Sequence, residues 1–208
     1  MILGLKLILV ALIGYLLGSI NTSILVGRFY GIDVRNYGSG NAGATNTLRI
    51  LGKKAAILVS VGDMLKGIIS ALIGLWIIND IEGIGQLGVM AGGAAAIIGH
   101  NWPLYFKFKG GKGILTTFSV ALMMDWRIAL VLMGIFIIVV AITRYVALGS
   151  IIGCALFPVI SIIPVFDKSF VFTLFALIVG LLGITRHHAN IKRILEGIEP
   201  KLGGRGVG

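Results

Sequence analysis

Three short segments carry the groups able to hold and activate a charged substrate: GSGNAGATNTLR from Gly38 to Arg49, GHNWPLYFKFKGGKG from Gly99 to Gly113, and RHHANIKR from Arg186 to Arg193. A membrane chain concentrates such groups where it does chemistry. In the first island, Gly38, Gly40 and Gly43 permit close backbone approach, while Ser39, Asn41, Thr45 and Asn46 add short donors, the chemistry of an anion nest. Arg49 can hold a phosphate through its planar fork. In the second island, Gly110 and Gly111 lie between Lys109 and Lys112, so backbone N–H groups and ammonium can face one phosphate. FKGGKG is not a nucleotide P-loop: Gly113 follows Lys112 where that motif needs Ser or Thr, Phe106 stands where its first glycine belongs, and no strand precedes it. In the third island, His187 and Asn190 share a helix face, and a histidine there can act as a general base near neutral pH. Plainer readings exist for each island: a basic loop, lipid head-group contacts by Lys107, Lys109 and Lys112, and an interfacial histidine. His100 reads as a helix-end cap. Asp63 and Lys66, three residues apart in an apolar run, are expected to neutralise each other. Ser150, just past Arg144 and Tyr145, falls near a helix start, where a hydroxyl and a helix N-terminus can face an anion. The histidines have no Cys or carboxylate at ligand spacing, so a tight metal site is not expected; no cofactor is expected either.

These islands must be positioned by helices in lipid. The chain has 208 residues, of which 57% are hydrophobic and 12% charged, and its mean hydropathy is +1.02. Apolar runs recur along the whole length and leave no stretch for an extramembrane domain, which gives an all-α polytopic membrane protein with residues 1–208 as one domain. The lone Cys154 can form no internal disulfide and reads as packing. The first apolar run exceeds a signal-peptide core and lacks a small-x-small cleavage site, so it is expected to be retained. A helix needs ~20 apolar residues to cross a bilayer. Spans are predicted over Leu3 to Val26, Ala55 to Ile78, Leu87 to Leu104, Val146 to Pro164 and Phe170 to Thr185. Ile114 to Ile142, broken by Asp125, Trp126 and Arg127, is either one long helix or two short ones. Charge decides for two, which makes seven transmembrane helices. The inside loops then receive Arg28, Arg35, Arg49, Lys53, Lys54, Lys107, Lys109, Lys112, Arg144, Arg186, Lys192, Arg193, Lys201 and Arg205. The other face keeps Lys6, Arg127 and Lys168 beside Asp80, Glu82, Asp125 and Asp167. The N-terminus is predicted outside, the C-terminus cytoplasmic, and all three islands on the cytoplasmic face.

Taken together, the three ordered islands resemble those of the bacterial acyl-phosphate:glycerol-3-phosphate acyltransferases, integral membrane enzymes that begin phospholipid synthesis. The likeness also covers Gly18 to Ile20, GDMLKG around Lys66, RYVALGSI ending near Ser150, and His187, Asn190, Ile191 and Arg193 continuing to Gly197 and Glu199. It implies acyl transfer from acyl phosphate to the sn-1 hydroxyl of glycerol 3-phosphate, giving lysophosphatidate and phosphate, with neither acyl-CoA nor acyl carrier protein as direct donor. None of His100, His187 or His188 begins the His-x-x-x-x-Asp dyad of the soluble-type acyltransferases. On the resemblance, His187, Asn190 and Ser39 are the expected catalytic residues. Substrate binding is expected of Ser39, Gly40, Asn41, Thr45, Asn46, Arg49, Lys66, Lys109, Gly110, Gly111, Lys112, Ser150, Asn190 and Arg193. The expected partners are glycerol 3-phosphate, a long-chain acyl phosphate and the lipid bilayer of the plasma membrane, with no nucleic acid, and the chain is expected to be a monomer. A phosphate transporter would instead show inverted repeats and several mid-membrane polar residues. A scaffold would need no ordered glycine and asparagine pattern.

Overall fold

A computed structural model of the protein describes residues 2–78 and 85–203, so Asp80, Glu82 and Arg205 of the charge argument lie outside the described residues. Within them every regular element is helical. The chain divides into two units, Met1–Met124 and Asp125–Gly208, and each is described by itself.

The first unit contains α1 (Ile2–Gly18), α2 (Thr22–Phe29), α3 (Ala44–Ile78), α4 (Gly85–Asn101) and α5 (Ile114–Met124). Small residues bring α1, α3 and α4 together. A Cβ on Gly18 would overlap the carbonyl of Ala96, one on Gly74 that of Gly88, and one on Gly92 that of Ser70. Lipid tails are as apolar as leucine, so helices in a bilayer associate through such close backbone packing. The predicted first span is a 28-residue apolar run, Ile2–Phe29, but it is not one helix. It breaks between Gly18 and Thr22, where the Asn21 side chain accepts from the Ile24 N–H at 3.1 Å and caps α2. Short polar side chains offer the backbone this alternative to continuing a helix. The second predicted span begins earlier than Ala55. α3 starts at Ala44, and Gly52, with φ 81°, separates residues 44–51 from residues 53–78.

The second unit contains α6 (Trp126–Thr143), α7 (Val146–Ser161), α8 (Phe170–Arg186) and α9 (His188–Leu195). The expected split of the long middle run is observed. α5 ends at Met124, and Asp125 caps α6 by accepting from the Arg127 N–H at 2.8 Å. Hydrogen bonding from Arg127 and then Lys168 holds the Asp125 carboxyl well below the usual carboxylate range. Gly149 makes room for Phe136, Gly180 for the carbonyl of Cys154, and Phe157 meets Phe172 edge-on with ring centroids 6.1 Å apart. α8 turns into α9 through a 57° bend.

Among the described residues, Ile2–Phe29, Ala44–Ile78 and Trp126–Thr143 are long and apolar enough to cross a membrane, and α8 with α9 gives a fourth if the bent pair is one span. The count of seven also needs α4, α5 and α7, which have 17, 11 and 16 residues. At ~1.5 Å per residue, α5 reaches only about 16 Å.

Candidate functional site

The first island folds around Asn46, which is 1% exposed in the first turn of α3. Its Oδ1 accepts from the Ser39 N–H at 2.9 Å, and its Nδ2 donates to the carbonyls of Val34 at 3.0 Å and Tyr37 at 3.1 Å. Asn46 was expected to bind substrate. All three bonds instead hold the turn Tyr37–Gly40, with Gly38 at φ 59° and Gly40 at φ 70°. The turn leaves Ser39 half-buried and Gly40 exposed. Asn41 closes the next turn, its carbonyl accepting from the Gly43 N–H at 3.0 Å. Gly43 then starts α3, its carbonyl accepting from the Thr47 N–H at 3.0 Å and the Thr47 hydroxyl at 3.1 Å. Ser23 on α2 secures Thr47 at 2.8 Å. The helix N-terminus that follows a glycine turn is favourable ground for an anion. Thr45 and Arg49, both half-buried, stand one turn apart on the same face of that helix.

The second island is fastened to the first. Arg35 donates through Nη1 to the carbonyls of Phe106 at 3.2 Å and Lys109 at 3.1 Å. Its Nε and Nη2 bind Asp33, the latter at 2.6 Å. The guanidinium's hydrogen bonds keep the Asp33 carboxyl below its ordinary value. Ile24, Val34, Ala42 and Phe106 form the small apolar core beneath, and the Arg28 guanidinium lies 5.1 Å from the Phe106 ring centre. Gly110 and Gly111 were expected to let backbone donors reach a phosphate. In the structure they let protein approach protein. A Cβ on Gly110 would overlap the His100 carbonyl, and one on Gly111 would overlap both His100 Nε2 and the Ala42 carbonyl. The Gly111 N–H is already bonded to the His100 carbonyl at 3.1 Å. Lys109 is exposed and Lys112 half-buried, with Gly113 at φ 74° turning the chain into α5.

Lys66, also expected to bind substrate, directs its ammonium inward. It donates to the Ile20 carbonyl at 3.1 Å and meets His100 Nδ1 at 2.7 Å. The expected pair with Asp63 is present at 2.9 Å. His100 is therefore more than a helix-end cap.

In the second unit, His187 sits at the α8–α9 bend, 2% exposed. Its Nδ1 lies 2.7 Å from the Gly183 carbonyl. A carbonyl only accepts, so Nδ1 carries a proton, and in the neutral ring the lone pair is then on Nε2, the form a general base requires. Asn190 Nδ2 donates to Glu199 Oε1, and Arg193 Nε to Glu199 Oε2, both at 2.7 Å. Glu199, 6% exposed, thus holds two residues that were expected to hold substrate. Ser150 lies in the second turn of α7, and its hydroxyl donates to the Val146 carbonyl at 3.0 Å. In this rotamer it can accept from a ligand but not donate to a phosphate.

Sequence reasoning missed Arg35, Asp33, Ser23 and Thr47. They carry no spacing that points to chemistry, and they act by closing turns. Among the described residues, no cluster of His, Cys, Asp and Glu could hold a metal.

Known proteins resemble this chain throughout. Residues 8–197 match the family profile described as glycerol-3-phosphate acyltransferase. Curated glycerol-3-phosphate acyltransferases from Thermoanaerobacter sp. (strain X514) and Clostridioides difficile (strain 630) are 45% and 43% identical over 197 and 200 residues. The alignments cover 94% of this chain in both, and 96% and 95% of the relatives. A crystal structure of PlsY (YgiH), an integral membrane glycerol 3-phosphate acyltransferase in its glycerol 3-phosphate form, aligns with a TM-score of 0.86 at 36% identity, covering 95% of this chain and 96% of that one. The lysophosphatidic acid form aligns at 0.83 and 34%, covering 97% of each chain.

Proposed function

Because this chain belongs to the glycerol-3-phosphate acyltransferase family, we propose that it takes its acyl group from a long-chain acyl phosphate and delivers it to the sn-1 hydroxyl of glycerol 3-phosphate. The products are lysophosphatidate and phosphate, and the reaction is the first step of phospholipid synthesis.

The observation that carries this reading is the joining of two glycine-rich basic islands. Arg35 ties the first loop to the carbonyls of Phe106 and Lys109, and Gly111 abuts the Ala42 carbonyl. Two islands that carry Arg49, Lys109 and Lys112 are thereby held together beside the start of α3, an arrangement suited to substrates whose only strong handle is phosphate. An acyl phosphate is an activated mixed anhydride, so the protein has mainly to orient two anions, screen their repulsion and stabilise the tetrahedral oxyanion. Ser39, Gly40, Asn41, Thr45, Arg49, Lys109 and Lys112 supply that function in the first unit. His187, Asn190, Arg193 and Ser150 serve the same reaction from the second. The hydroxyl oxygen attacks the carbonyl carbon. Its proton passes to His187 Nε2 or to an oxygen of a substrate phosphate, and the bond between the acyl carbon and the phosphate oxygen breaks as phosphate leaves. The neighbour solved with glycerol 3-phosphate and with lysophosphatidic acid supports this choice of acceptor and product.

The active site belongs on the cytoplasmic side of the plasma membrane in a chain with seven crossings, a topology that the distribution of basic residues supports, and the protein acts as a monomer. Purified protein in detergent, given glycerol 3-phosphate with palmitoyl phosphate, palmitoyl-CoA or palmitoyl acyl carrier protein, tests the donor. Turnover with palmitoyl phosphate alone is expected. Turnover with either thioester and none with the acyl phosphate overturns the proposal. Replacing His187 with Ala and following turnover against pH assigns the base, since an unchanged profile at near-full activity removes the histidine.

A further inference from the structure

Asp63 and Lys66 are ionisable groups on an apolar helix, and nearly all of their surface is buried: they are 2% and 6% exposed. Such groups are expensive inside a membrane bundle and persist where they have a task. The pair is not arranged for stability alone. Asp63 Oδ1 lies 2.9 Å from the Lys66 nitrogen, yet it is a buried atom without an aligned hydrogen bond. The well-made contacts of Lys66 go elsewhere, to the Ile20 carbonyl in the break between α1 and α2 and to His100 Nδ1. The same His100 Nδ1 lies 3.5 Å from Asp63 Oδ1, so this ring nitrogen stands between the ammonium and the carboxylate. The ring's Nε2 lies where a Cβ on Gly111 would be, and the backbone carbonyl of the same histidine receives the Gly111 N–H. On its other side Gly111 touches the Ala42 carbonyl of the first island. The ring of His100 is thus a floor whose tilt is set by Lys66 and Asp63 and whose far edge supports the lysine and glycine loop.

We propose that Asp63, Lys66 and His100 form a buried positioning relay that holds the 110–113 loop against the first island and so sets its affinity for a substrate phosphate. The relay rests on the reading above that this loop binds phosphate. It gives His100 and Lys66 positioning rather than catalytic roles.

The test uses glycerol 3-phosphate titrated calorimetrically into the full chain in detergent, a readout independent of the acyl donor. His100→Asn leaves a polar group to meet Lys66 but removes the ring edge beneath Gly111. The double variant Asp63→Asn with Lys66→Met removes the two charges together, so neither is left buried alone. Each is expected to weaken glycerol 3-phosphate binding about 10-fold, within the range of couplings passed through packed networks. The KM should rise with it, kcat should change less, and Lys66→Arg should recover part of the affinity. Folded variants with wild-type affinity overturn the relay, as does failure of both to fold, which would make the cluster a structural pair. A wild-type protein that binds glycerol 3-phosphate but ignores acyl phosphate leaves the relay standing and removes only the donor assignment.

Discussion

Asn46→Asp is the most informative single substitution in the first island. The side chains are isosteric, so packing is unchanged, and Oδ1 can still accept from Ser39. What changes is the other atom. In the native protein Nδ2 donates to the Val34 and Tyr37 carbonyls at 3.0 and 3.1 Å. In the variant an oxygen that can only accept faces both. Two hydrogen bonds at ~1 kcal/mol each are lost, while both carbonyls keep a backbone donor, the Tyr37 N–H on Val34 and the Gly40 N–H on Tyr37, so the turn should be destabilised by about 2 kcal/mol. If the turn opens locally, activity should fall by about 30-fold, while global stability changes by less than the full amount. Asn46→Ala should lose the same two bonds and that from Ser39. Turnover and thermal unfolding should be measured together. Cys154 is the single cysteine and is buried, so a thiol-reactive dye reports unfolding directly. An Asn46→Asp protein with wild-type turnover would refute the claim that this side chain shapes the substrate-binding turn.

Other expectations follow from the same contacts. Gly111→Ala places a methyl group against His100 Nε2 and the Ala42 carbonyl. It should cost about 1–3 kcal/mol of overpacking at the junction of the islands and raise the KM for a phosphate substrate, whereas an unaltered KM would show that the junction yields freely. Gly18→Val drives a side chain into the Ala96 backbone and should lower the unfolding temperature without specific effect on KM. Arg49→Ala or Lys112→Ala should raise KM or abolish turnover, and a variant at full speed removes that residue from the site. Asp33, held below its ordinary value by Arg35, contributes stability that is present above the unfolded carboxylate value of about 3.9. That contribution disappears as pH falls through the lower folded value. Asp33→Asn should therefore show a shallower acid decline of unfolding temperature than wild type, and an identical decline would contradict the Arg35 link.

Much of this architecture was legible in the sequence. Helix ends near Ile78, the start at Val146, the span from Phe170 and the split at Asp125 follow from apolar length and the placing of the basic residues. The break at Asn21 was not legible, because a lone asparagine in a long apolar run reads as a tolerated polar residue until its capping bond to Ile24 is seen. The extension of α3 back to Ala44 was hidden by the glycines, which suggest loop, although Gly52 only kinks the helix. At the site, residue types announced anion chemistry, but not which groups turn inward. Asn46, Lys66, Asn190 and Arg193 look equally available on paper. Packing commits the first two to Val34, Tyr37, Ile20 and His100, and it brings Glu199 to the other two. Those assignments depend on turns whose geometry no spacing rule specifies.

The central claim is tested most directly by following both substrates in one reaction. Purified wild-type protein is given palmitoyl phosphate and carbon-labelled glycerol 3-phosphate, and free phosphate and lipid-extractable label are measured together. The account requires one phosphate released for each glycerol 3-phosphate converted, with neither signal when either substrate is omitted. Phosphate release that continues without glycerol 3-phosphate, or label entering lipid with no phosphate released, would contradict it.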